Sequence, residues 1–117
     1  AALVARYSRI LGVHLNDGYG KRDDGLMVAA AHSIQTVELL YVLGKLGYNG
    51  AIYFDTFPDI TNLDPVAECT TNVKTVERLA CIADSLARNS ELANAISRQD
   101  AVASHSIINA AIYGHMN

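Results

Sequence analysis

The 117 residues carry a formal net charge of -3 and are 50% hydrophobic, which is typical of a folded globular protein and excludes a disordered tail. Only nine residues are basic, and Lys21-Arg22 is the only adjacent pair, so the clustered positive charge of a nucleic-acid-binding surface is missing. No apolar run approaches the ~20 residues that a membrane-spanning helix needs.

The chain opens with a segment typical of the end of a helix, over residues 1–9, without the layout of a signal peptide. Residues 13–16 predict a short strand, and the Gly- and Asp-rich stretch 17–25 predicts a loop. The first helix has no cap in front of it, and two strands alone cannot bury both faces of a sheet. We therefore expect the chain to be the carboxyl-terminal part of a longer polypeptide, or one that is completed by another subunit.

A helix is expected next, from His32 or Ser33 to Leu46, with Gly47 in the left-handed conformation that commonly ends helices. Residues 51–54 are apolar throughout, which indicates a strand that is covered on both sides. A helix of this length between two strands requires the strands to run parallel.

The second half of the chain is predicted to be helical. Asp64 is a favourable helix cap and Pro65 suits the first helical position. The residues after them show an apolar stripe at helical spacing, formed by Val66, Cys69, Val73, Val76, Ala80 and Ala83. The Ala-rich residues 89–117 predict two further short helices.

The two cysteines, Cys69 and Cys81, are 12 positions apart in one predicted helix. A helix separates them by roughly 18 Å, beyond the reach of a disulfide. We interpret them as buried, small apolar residues of a cytoplasmic protein.

Polar side chains cluster where the two predicted strands end. His14 and Asp17 close the first strand, Asp23 and Asp24 lie in the loop after it, and Asp55 directly follows the second strand. The carboxyl ends of parallel strands are where active sites form in α/β proteins. One imidazole with several carboxylates suits Mn²⁺, Mg²⁺ or Co²⁺. Each Asp alone also fits a turn or a helix cap, and His14 also fits a hydrogen-bonded structural histidine.

Residues 14–26 (HLNDGYGKRDDGL) resemble the seventh strand and following loop of xylose-isomerase-like sugar isomerases, and are most similar to the L-rhamnose isomerase type. Residues 52–55 (IYFD) resemble the eighth strand. The resemblance implies an α/β fold, the carboxyl-terminal part of a (β/α)₈ TIM barrel. Residues 1–88 would hold its last two parallel strands with their helices, and 89–117 a helical extension.

The resemblance also implies a site. His14 and Asp55 would bind a structural metal, and Asp23 would take the first position of a loop that binds a second, catalytic metal. Gly25 stands where that loop normally has a second carboxylate, so either the second metal site is weakened or Asp24 shifts to replace the missing ligand. The cofactor would be a divalent metal, Mn²⁺ above Mg²⁺, Co²⁺ or Zn²⁺.

Two further residues are candidate substrate contacts. His32 falls where relatives also place a histidine. Phe57 replaces the lysine of xylose isomerase and would either contact an apolar part of the sugar or serve packing alone.

The function that the resemblance implies is metal-dependent interconversion of aldose and ketose, by hydride transfer or through an enediol. The protein would be a cytoplasmic homo-oligomer that acts on a small sugar, with the remaining strands supplied by the parent chain or another subunit. Two alternatives remain: a single-metal sugar epimerase, which the gap at Gly25 favours, and a non-catalytic fragment that needs a partner chain. A phosphate-handling barrel is a weaker alternative, because no Gly-rich phosphate loop opens either helix.

Overall fold

The computed structural model describes residues 1–56 and 64–114, which form helices and two short strands. In chain order the elements are α1 (Ala2–Tyr7), β1 (Val13–Leu15), α2 (Ser33–Lys45), β2 (Ile52–Phe54), α3 (Pro65–Ala87), α4 (Ser90–Ser97) and α5 (Ala101–Tyr113). The predicted order of elements is confirmed, including the two short helices after residue 88.

The two strands run parallel, with Val13 opposite Ile52 and Leu15 opposite Phe54. Helix α2 connects them, as a parallel pair requires. Successive side chains of a strand face opposite sides of a sheet. Leu15 is buried whereas Tyr53 is 56% exposed, so among the described residues one face of the sheet is covered and the other is open.

The prediction that this chain is the carboxyl-terminal part of a (β/α)₈ barrel is wrong. The described chain is a small helical protein, 59% helix, and its two strands have three residues each. A barrel strand is covered on one side by the barrel interior and on the other by the outer helices. Strand β2 instead exposes Tyr53. Residues 51–54 suggested a strand covered on both sides because the residue on its exposed side, Tyr53, is aromatic rather than charged or small and polar.

The C-terminus of α2 confirms the predicted left-handed ending. Gly47 has a φ of 71°, its N–H donates to the carbonyl of Gly44 at 3.1 Å, and the N–H of Tyr48 donates to the carbonyl of Leu43 at 3.0 Å. These two bonds satisfy carbonyls that the helix itself leaves open. They turn the chain toward β2.

Helix α3 begins as predicted but buries a different face. The Asp64 carboxylate accepts from the N–H groups of Val66 at 2.9 Å and Ala67 at 3.3 Å, and Pro65 takes the first helical position. The buried residues are Asn72, Leu79, Ile82, Ala83 and Leu86. Val66 is 73% exposed and both cysteines are exposed, so the expected burial of the cysteines is wrong.

The core lies between α2 and α3 and includes one side chain of α4. Its buried members are Val37, Leu40, Leu79, Ile82, Ala83, Leu86 and Leu92. Leu92 reaches this core because Asn89 caps α4, accepting from the Leu92 N–H at 3.0 Å. None of the helices in the described residues is long and apolar enough to cross a membrane.

Substitution of Leu92, which is 2% exposed, tests this core. Leu92→Ala should lower the free energy of unfolding by about 2–5 kcal/mol, because it removes buried methyl groups and leaves a cavity. The matched control is Leu3→Ala, since Leu3 is 71% exposed. Urea unfolding followed by circular dichroism measures both. Equal effects of the two changes would contradict the packing of α4 on the core.

Candidate functional site

A buried carboxylate lies directly after β1. Asp17 is 9% exposed, and its backbone pairs with Leu26 through two hydrogen bonds of 2.9 Å, closing the loop between them. The side chain accepts three backbone hydrogen bonds, from Gly18 at 2.8 Å, Ala31 at 2.7 Å and His32 at 2.8 Å. Asp17 therefore joins the end of β1 to the first residues of α2, where a negative charge is favourable.

The same carboxylate binds an imidazole. Nδ1 of His32 lies 2.6 Å from Oδ1 of Asp17. Burial alone would raise the pKa of Asp17, but the hydrogen bonds from the His32 ring and from backbone N–H groups outweigh it and lower the pKa from 3.8 to about 2. Asp17 is therefore ionised at neutral pH, and Nδ1 must be the protonated nitrogen that donates to it.

This pairing fixes the chemistry of the second ring nitrogen. With its proton on Nδ1, neutral His32 carries a lone pair on Nε2. The His32 side chain is 46% exposed, so Nε2 is accessible to a small molecule. A carboxylate that holds one side of an imidazole while the other side stays open is suited to general acid–base catalysis.

The segment that leads to His32 contains a strained residue. Ala29 has a φ of 64°, a left-handed conformation that costs a non-glycine residue roughly 1–2 kcal/mol. Just before it, the Val28 N–H donates to Oδ1 of Asn72 at 2.9 Å. Asn72 belongs to α3 and is 1% exposed. A residue of a distant helix therefore helps to hold the turn that carries His32.

His14, a predicted ligand of the structural metal, lies on the open face of the sheet. It is paired with Tyr53, and their ring centroids are 5.1 Å apart. Asp55, the other predicted ligand, is exposed and directly follows β2. Its carbonyl oxygen accepts from Nδ2 of Asn16 at 3.0 Å. Asp17 is buried instead, so it does not join His14 on this face.

The two acidic residues of the loop have different surroundings. Asp24 accepts from the Tyr19 N–H at 2.9 Å and from Nε of Arg22 at 2.8 Å, and these bonds lower its pKa. Asp23 is exposed. Gly25 is buried with a φ of 60°, a conformation that glycine adopts without strain.

The described residues do not fit a complete metal site. They contain no group of three or more His, Cys, Asp and Glu side chains that could hold an ion. His14 and Asp55 supply two donors, whereas protein-bound divalent metals usually take four or more ligands. The predicted metal roles of His14, Asp55 and Asp23 stay predictions. Phe57 lies outside the described residues.

No protein-family model, curated protein or solved structure matches the chain. The likeness to sugar isomerases therefore rests on residues 14–26 and 52–55 alone.

Sequence reasoning noted Asp17 and His32 separately and missed their pairing. The two residues are 15 positions apart, and no periodic pattern joins them. The order of elements could have indicated the pairing. Asp17 lies just after a strand and His32 just before the next helix, and the two ends of such a loop come close in a strand–helix unit. Asn72 was also missed, although it is a polar residue in a helix that packs on the core.

Acid should weaken the fold through Asp17. Its carboxyl has a pKa of about 2 when folded, against 3.8 for the ordinary group, so ionisation favours the folded state by about 2 kcal/mol. This contribution is fully present above pH 3.8 and is mostly lost as the pH falls to 2. Urea unfolding between pH 2 and pH 7 should show that Asp17→Asn is less stable than the wild type at neutral pH. This difference in the free energy of unfolding should become much smaller near pH 2.

The control for this titration is Asp84→Asn. Asp84 is an exposed carboxylate that pairs with Arg88 at 2.8 Å on the surface of α3. Its replacement should change stability by less than about 1 kcal/mol at any pH. A constant difference between wild type and Asp17→Asn from pH 2 to pH 7 would contradict the assignment of Asp17.

Ala29→Gly should leave stability nearly unchanged. Glycine relieves the left-handed strain, roughly 1–2 kcal/mol, but loses a packed methyl group and adds freedom to the unfolded chain, which together cost a similar amount. Ala93→Gly, at an exposed position of α4, should cost about 1 kcal/mol because no strain is relieved. Thermal unfolding compares the two. Equal losses would show that Ala29 is not strained.

Proposed function

We propose that the chain is a sugar isomerase that interconverts aldoses and ketoses by proton transfer, with His32 as the acid–base group and Asp17 as its partner. The observation that carries this proposal is the buried, ionised Asp17 carboxylate bonded to Nδ1 of a half-exposed His32. The choice of a sugar rests on the resemblance at residues 14–26 and 52–55.

The reaction uses the free nitrogen of the ring. Nε2 of His32 takes the proton from C2 of the open-chain aldose. The electrons of that C–H bond form the C1–C2 double bond, and the carbonyl oxygen on C1 gains a proton from water, which gives an enediol. Nε2 then returns the proton to C1, which bonds it with the electrons of the double bond, while the hydroxyl on C2 gives its proton to the hydroxide left by the first step and becomes the carbonyl. Asp17 stabilises the imidazolium between these steps.

A single acid–base group favours isomerisation over the epimerase alternative. Inversion of a carbon requires a proton to leave one face and return on the other, which normally takes two groups. Isomerisation moves the proton between neighbouring carbons on one face, which one imidazole can do. The described residues contain one carboxylate–imidazole pair, Asp17 with His32.

The divalent metal, the homo-oligomer and the cytoplasmic location are proposals that come from the sequence. His14 and Asp55 are both exposed, on or directly after neighbouring parallel strands, so they would contribute two ligands, and the rest would come from outside the described residues. The proton-transfer steps above do not depend on the metal.

Replacement of His32 tests the activity. His32→Gln should lower the rate of aldose–ketose conversion by about 10²-fold or more, which is the usual contribution of a general acid–base group. His105→Gln is the matched control, since His105 is an exposed imidazole on α5. The assay follows L-rhamnose and D-xylose by ¹H NMR in D₂O, with and without added Mn²⁺, and records deuterium incorporated into sugar and product.

Three results would count against the proposal. If the wild-type chain converts neither sugar in either condition, the non-catalytic alternative is favoured. Conversion without any uptake of deuterium would indicate hydride transfer and remove His32 from the chemistry. Equal rates for His32→Gln and His105→Gln would do the same.

A further inference from the structure

Two polar residues are buried among the described residues, Asp17 and Asn72, and both bind the same stretch of backbone. Oδ1 of Asn72 accepts from the Val28 N–H at 2.9 Å, whereas Oδ2 of Asp17 accepts from the N–H groups of Ala31 and His32. Residues 28–32 are therefore held at both ends, by side chains from opposite parts of the fold. His32 is the last residue of this stretch.

The strain at Ala29 lies between the two anchors. A left-handed alanine persists only where its surroundings fix the backbone. The turn has one further hydrogen bond of its own, from the Ala30 N–H to the Met27 carbonyl at 3.1 Å. The Asn72 side chain is thus a tertiary contact that keeps Val28, and the strained residue after it, in place.

Asn72 also reaches the segment after β2. Its Nδ2 donates to Oγ1 of Thr56 at 3.4 Å, and the Thr56 hydroxyl donates to the carboxylate of Glu68. Thr56 follows the second strand by two residues, as Asp17 follows the first. One amide therefore connects the segments beyond both strand ends.

From these contacts we infer that Asn72 is a positioning residue for His32. Its carbonyl oxygen fixes Val28, Val28 fixes the turn at Ala29, and the turn sets where the imidazole meets Asp17. The structural part of this inference stands on the contacts alone. Its importance for catalysis rests on the proposed function of His32.

The test uses Asn72→Leu, which keeps the branched shape of the side chain and removes the acceptor, and Asn72→Asp, which keeps an acceptor for the Val28 N–H. The control is Asn94→Leu, at an exposed position of α4. Proteins labelled with ¹⁵N-histidine report the ring tautomer of His32 by NMR, with His14 and His105 as internal references. Isomerase kinetics are measured on the same samples.

We expect His32 in the wild type to show a protonated Nδ1 that exchanges slowly with water. Asn72→Leu should broaden or shift the His32 signals alone and lower kcat by about tenfold or more with KM little changed. Asn72→Asp should restore most of the wild-type His32 signals and most of the wild-type kcat. If Asn72→Leu does not fold, Asn72→Val replaces it, because this smaller apolar side chain also removes the acceptor for the Val28 N–H.

Unchanged His32 signals in a folded Asn72→Leu or Asn72→Val variant would overturn the inference. Altered signals in Asn72→Asp equal to those of Asn72→Leu would do so as well. If the wild type lacks isomerase activity but the His32 signals change as expected, the proposed function fails and the positioning role of Asn72 stands.

Discussion

The hydrogen bonds to the Asp17 carboxylate are the interaction on which the candidate site depends. They join the end of β1 to the turn before α2 and to the His32 ring, although about fifteen residues separate Asp17 from His32. Hydrogen bonds to a charged acceptor contribute roughly 1.5–3 kcal/mol each, and loss of the carboxylate would remove all of them at once. The charge on Asp17 therefore determines the loop geometry first and the ring tautomer as a consequence.

Asn72 has a comparable effect from the opposite side of the segment. A buried amide is favourable only when its groups are bonded, and those of Asn72 are bonded to Val28 and Thr56. The other buried residues of α3 are apolar and share one core with residues of α2. The helix pair thus provides a rigid base, and its one buried polar residue fixes the segment that carries His32.

Local signals in the sequence predicted much of the fold, because capping and turn chemistry act over a few residues. The Asp64–Pro65 helix start, the Gly47 ending and both strands were correct. Burial was harder to predict. The predicted stripe of α3 is rotated by about 90° from the observed one, at 100° per residue, because apolar residues such as Val66 and Cys69 lie outside the contact with α2. The prediction of a barrel was wrong for a related reason. Apolar residues in a strand do not show whether one or both of its faces are covered. The pairing of Asp17 with His32 is a tertiary contact that one sequence does not encode in any spacing.

The presence of alanine at position 29 indicates what the segment requires. Elsewhere in the described chain, positive φ angles occur at Gly20, Gly25, Gly47 and Gly114 and at one other non-glycine residue, Gln99. Ala29 is partly buried and its methyl group packs against the core. That contact and the lower freedom of alanine restrict the turn more than glycine would, at the expense of backbone strain. A loop that served only to connect β1 with α2 would gain little from such restriction. A segment that places one imidazole against a buried carboxylate gains a defined geometry from such restriction, and the proposed proton transfer would depend on that geometry.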